Sequence, residues 1–176
     1  MRAELTRERL VSLMKELART APKRGAYRVY FVGGGTAVYL GWRSSSIDVD
    51  LFPDQDVVFR DVQEIKERLN INIEFARPED FVPPLKGTAG RHVFIDAVGS
   101  IMFYHYDPYA QLFSKVVRGF QRDLDDALKF VRSGMVDLGR FGSLVTAIPD
   151  SAYARYPNLS RAEVEKAIQT FIAENP

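Results

Sequence analysis

Two aspartates stand two residues apart in the run Ser46-Ile47-Asp48-Val49-Asp50-Leu51, where apolar and acidic residues alternate. Side chains of a strand repeat every second residue, so both carboxylates fall on one face, about 7 Å apart by strand rise. Such a pair can hold hard divalent cations; without them it is either the exposed polar face of an edge strand or a costly buried repulsion. Upstream lies Gly33-Gly34-Gly35, directly after an apolar run. A glycine triplet there lets the backbone pass close to a ligand and turns unpaired amides toward an anion such as phosphate, or it simply makes a tight turn. Two familiar phosphate loops are absent. No Gly-Lys-Ser/Thr follows, and Val38 stands where a dinucleotide fingerprint beginning at Gly33 needs Gly or Ala. Val38 therefore also argues against a nicotinamide oxidoreductase.

The elements that must position these groups are legible in outline. Leu10, Met14 and Leu17, with Val11 and Ala18, recur at helical steps behind a Thr6 cap, and that helix ends near Pro22 and Gly25. Tyr27 to Val32 reads as a strand running into the glycine turn, and Thr36 to Trp42 as a short helix. Ile47 to Phe52 is the strand of the two aspartates, closed by Pro53; Asp56 to Asn70 carries a helical stripe; Ile71 to Ala76 alternates again as a strand. The loop with Pro78, Pro83, Pro84, Gly87 and Gly90 is irregular and a candidate lid, and beyond it Val93 to Asp96 and Ile101 to Tyr106 pair as a hairpin. From Pro108 onward the period is helical: Tyr109 to Arg118, Gln121 to Arg132, Val136 to Ile148, and Arg161 to Ala173 behind a Ser160 cap. The expected class is α/β (α+β), with residues 1–107 as an α/β core and 108–176 as a helical region packed on it.

At 176 residues, 46% hydrophobic and 27% charged, the chain can bury a real core and has the size of one domain with a helical appendage. Its 24 Lys and Arg balance 23 Asp and Glu, so no global field captures nucleic acid or membrane, and any polyanion site must be local. The absence of cysteine excludes disulfides, thiolate metal sites and a cysteine nucleophile. The opening residues are too charged for a secretory signal and no run is long and apolar enough to span a membrane, so a cytoplasmic protein is expected. His92 and His105 are too few for a histidine metal site and read as structural; Tyr104, Tyr106 and Tyr109 either stack a base or pack in the core.

Val32-Gly33-Gly34, thirteen intervening residues, then Asp48-Val49-Asp50 resembles the signature of the DNA polymerase β-like nucleotidyltransferase superfamily. The stretch from Gly33 to Leu51 further resembles its small prokaryotic members, including those related to abortive-infection and toxin-antitoxin transferases. The likeness continues through Tyr104 to Tyr109 and the Lys115 to Asp126 helices.

The resemblance implies a small mixed sheet with flanking helices, and a site in which Asp48 and Asp50 bridge two Mg2+ ions while Gly33, Gly34 and Gly35 hold a nucleoside triphosphate. A third carboxylate from a neighbouring strand completes such a site: Glu74, on a face with Asn72, is the choice, with Asp96 as competitor and a solvated strand carboxylate as the plain alternative for either. Glu74 departs from the usual aspartate. Thr36 and Ser46 could each bond a phosphate oxygen or act as ordinary turn residues. Similar transferases place a lysine and an Arg-Asp pair near the triphosphate, which maps onto Lys115 as a charge clamp with Arg122, Asp123 and Asp126 in support; a solvated helix face is the alternative.

The implied activity moves a nucleoside monophosphate from an NTP to a hydroxyl on RNA (such as a transfer RNA end), on a protein or on a small molecule. An antitoxin partner would accompany a toxin-like transferase. The competing expectation is a non-catalytic nucleotide-binding or protein-interaction module on the same fold.

Overall fold

The computed structural model describes residues 2–176 and is mixed α/β. In chain order it contains β1 (Leu5–Thr6), α1 (Arg7–Thr20), β2 (Tyr27–Val32), α2 (Gly33–Tyr39), β3 (Ser45–Ser46), β4 (Asp48–Pro53), a 3-10 turn (Asp56–Phe59), α3 (Val62–Leu69), β5 (Asn72–Glu74), β6 (Val93–Val98) and β7 (Ile101–His105). Then come α4 (Pro108–Arg118), α5 (Gln121–Arg132), α6 (Leu138–Thr146), α7 (Asp150–Tyr153) and α8 (Arg161–Glu174). The chain divides into two compact units: residues 1–77 with 93–106, and residues 78–92 with 107–176.

The first unit is built on a five-stranded sheet in the order β5-β4-β2-β7-β6. The central strands β2 and β7 run parallel; β4 is antiparallel to β2 with β5 parallel to it, and β6 pairs antiparallel with β7 as the expected hairpin. Alternation sends Val29, Phe31, Val49, Leu51, Ile73, Ile101 and Phe103 to one face, where Leu10, Leu13, Met14 and Leu17 of α1 and Ile65 of α3 close the core. Thr6 caps α1 as its sequence suggests, accepting from the Arg9 amide. A small ladder of β1 on β3 holds the start of the chain against the segment leading into β4.

Two elements differ from their sequence expectation. The stripe over 56–70 is broken, because Asp61 leaves helical geometry (φ −105°, ψ 19°) between the 3-10 turn and α3. The register of β6 on β7 slips between Phe94 and Asp96, a bulge that puts one extra residue in the edge strand.

In the second unit α4 is buried almost throughout, with Leu112, Phe113 and Val116 joined in the interior by Ala127, Phe130, Phe141, Val145, Val164, Ile168 and Phe171. Residues 78–92, expected from sequence with the α/β half and as a lid, belong to this helical unit. Chemistry fixes them there. Asp107, fully buried, caps α4 by accepting from the Tyr109 amide, and also accepts from Thr88 Oγ1 (2.9 Å) and from the Arg91 guanidinium at 2.7 and 3.1 Å. His92 Nδ1 accepts from the Asp107 amide, and Tyr156 donates its hydroxyl to the Glu79 carbonyl (2.5 Å).

Removing one member of a buried ion pair strands the other without compensation. Arg91→Leu is expected to cost about 3 kcal/mol of stability, read as a lowered urea midpoint; an unchanged midpoint would show that the pair does not anchor the loop.

Candidate functional site

The two aspartates occupy one face of β4, opposite the hydrophobic core, each half-buried, with Val49 between them turned into the interior. Because β5 runs parallel to β4 in the register Asp48↔Asn72 and Asp50↔Glu74, the same face gains an amide beside Asp48 and an exposed carboxylate beside Asp50. Asn72 Nδ2 donates to Asp48 Oδ1 and so fixes that carboxylate. Sequence spacing gave no hint of this bond, since a separation of 24 positions says nothing about cross-strand register. Asp96 lies elsewhere: on β6, separated from β4 by β2 and β7, paired across to core-facing Phe103, its Oδ1 accepting from the Ala97 amide. Of the two candidates for a third carboxylate, Glu74 alone shares the aspartates' face.

The glycine turn is pressed against this strand. Gly33 has φ +50°, and a β-carbon there would stand 2.8 Å from Asp50 Oδ2. A β-carbon on Gly34 would collide with Ser46 Oγ and lie 3.3 Å from the Asp48 carbonyl oxygen. Only a bare backbone fits at these two positions, against Asp50 and Ser46. Ser46 donates to the Asp48 carbonyl at 2.9 Å, locking the entry into β4. Thr36 is fully buried, and its hydroxyl donates to the Phe31 carbonyl (3.2 Å). With its hydrogen spent there, Thr36 accepts from His105 Nδ1 at 3.0 Å.

Lys115 and Arg122 belong to the helical unit. Lys115 is buried on α4 with its ammonium 3.0 Å from Asp126 and 3.6 Å from Asp123, and Arg118 also approaches Asp123 (3.6 Å). Arg122 is exposed in the first turn of α5. Within that unit the acidic run, whose members Asp123 and Asp126 are buried, neutralises the lysine.

The donors on β4 and β5 are all oxygen or amide, the set that suits hard cations, and the space where Gly33 lacks a side chain borders one of them. Among the described residues no group of three or more His, Asp or Glu is drawn close enough to hold a metal ion. None of the helices in the described residues is long and apolar enough to cross a membrane. No family model, no curated protein and no solved structure matches the chain.

His105, buried beneath α2, is driven by desolvation to a pKa of about 4, below the ordinary 6.5. A folded pKa depressed in this way leaves stability intact above pH 6.5 and withdraws it as pH falls from 6.5 toward 4, by up to roughly 3 kcal/mol. Chemical denaturation of the protein and of His105→Gln at pH 7 and pH 4.5 checks this. The gap between them should narrow or reverse at the lower pH; a constant gap would exclude the histidine as the source.

Proposed function

We propose that the protein is a metal-dependent nucleotidyltransferase that moves a nucleoside monophosphate from an NTP to a hydroxyl acceptor. One observation carries this reading: Asp48, Asp50 and Glu74 share a sheet face whose border is a glycine cradle too tight for any β-carbon. The likeness of the Gly33 to Leu51 stretch to the polymerase β-like superfamily supports it.

In this reading Asp48 and Asp50 hold magnesium, with Glu74 as the third oxygen donor. The metal, when bound, supplies charge neutralisation at the triphosphate and a lowered pKa for the attacking hydroxyl. The chain's own residues do the rest. The backbone of Gly33 to Gly35 would lie along the triphosphate, and Asn72 orients Asp48 through its amide. Glu74, the most open of the three acids, lies where an acceptor hydroxyl can reach it and takes up its proton as the oxygen attacks the α-phosphorus and pyrophosphate departs.

A second reading, a nucleotide-binding or protein-interaction module without turnover, draws on two facts. The three acids do not converge as a ready metal cluster, and Lys115 is already paired with Asp126 and Asp123.

A transfer assay with α-labelled NTPs, Mg2+ and cell extract separates the two. Asp48→Asn, Asp50→Asn and Glu74→Gln should each lower transfer by about a hundredfold or more, whereas Asp96→Asn should not; Asn72→Ala should weaken Mg2+ dependence by roughly 10- to 100-fold. Nucleotide binding that needs Asp48, with no transfer to any acceptor, would establish the module instead.

A further inference from the structure

The face of the sheet that carries the acids also carries a file of aromatic rings that the transferase reading does not use. Phe94 on β6, Tyr104 on β7, Tyr30 on β2 and Phe52 on β4 are consecutive cross-strand partners. Their centroids are 5.6, 5.7 and 5.2 Å apart, with Phe94 edge-on to Tyr104 and the other two contacts stacked. Tyr106 closes on Tyr30 and Phe52 from the end of β7. Tyr30 and Tyr106 are buried and make the file rigid, but its outer end is open: Phe94 is 55% exposed, Tyr104 is half-buried and Arg28 is exposed. The Arg28 guanidinium lies 5.6 Å from the Tyr104 ring centre, and its backbone amide is fixed by Asp54. A second guanidinium, Arg77, lies over Phe52 at 5.5 Å.

Burial does not account for Phe94, a large apolar ring left exposed next to the ring of Tyr104. Ring faces on a rigid strand surface accept bases of any sequence, and a guanidinium beside them meets the phosphate that accompanies each base. We infer that the Phe94–Tyr104–Arg28 end of the sheet binds a single-stranded polynucleotide, stacking one or two unpaired bases on the rings with Arg28 on the backbone. A duplex offers no unstacked face to these rings. With a net charge of only +1 the chain has no general polyanion field, so binding must come from this patch. The inference stands without the transferase reading, although a strand held here would be a natural acceptor for it.

Fluorescence anisotropy with labelled 12-nucleotide RNA, DNA of the same sequence, and the RNA duplex, titrated with the full chain without Mg2+, tests the inference. Single strands should bind and the duplex should bind at least tenfold more weakly; RNA and DNA arms tell whether the 2′-hydroxyl contributes. Phe94→Ala, at an exposed position that leaves the core intact, should weaken binding about fivefold or more. Tyr104→Leu should act in the same direction, and Arg28→Gln should flatten the salt dependence. Phe75→Ala, an exposed phenylalanine outside the file, should change nothing. Absence of single-strand binding, equal binding of the duplex, or indifference to Phe94→Ala would overturn the inference. Transfer to a protein or small molecule by a chain that binds no oligonucleotide would sink it while leaving the transferase intact. Oligonucleotide binding without transfer from any NTP would do the reverse.

Discussion

The backbone of Gly33 and Gly34 lies so close to β4 that a single added carbon on either residue would strike Asp50 or Ser46. Much else follows from this contact. It sets where β2 ends, because the chain must turn at positive φ at once to pass the neighbouring strand. It fixes Ser46 and thereby the entry to β4, and so decides which residues of β4 face outward as acids and which face inward as Val49 and Leu51. A methyl group here would push the strand and its carboxylates away from the turn, and the cradle and the acids would cease to be one site.

The acids' face and the core face are two sides of the same alternation, so stability and the placement of the acids are coupled through β4 and β5. Ile73 is buried because it lies between Asn72 and Glu74 in a strand, and a one-residue slip of β5 would exchange the carboxylate for an isoleucine at the site. The core therefore holds the register that the acids need. Thr36 and His105 serve the same end from within: their hydrogen bond ties α2 to β7 without reaching a ligand.

What could be read from the sequence was local. The caps at Thr6 and Ser160, the strand with Asp48 and Asp50 on one face, and the hairpin before Pro108 all follow from short-range rules and appear in the fold. What could not be read was long-range pairing. Asn72 meets Asp48 only because β5 lies parallel to β4, and Arg91 meets Asp107 from sixteen positions away, past a whole hairpin, which ties 78–92 to the helical unit. The same holds for Lys115: the resemblance implied a clamp, and the αL turn at Gly119 ends α4 and brings Asp123 and Asp126 of α5 back to its ammonium. Choosing Glu74 over Asp96 likewise depended on strand order, which no motif encodes.

The bulge in β6 has a meaning beyond the hairpin it bends. This border strand reads Val-Phe-Ile-Asp-Ala-Val, with a single charge, no lysine and no proline, a composition that invites a stranger chain to zip onto its open amides. The extra residue between Phe94 and Asp96 throws that row of donors and acceptors out of step. A single residue out of register thus works against edge-to-edge pairing while leaving the outermost ring, Phe94, in the open.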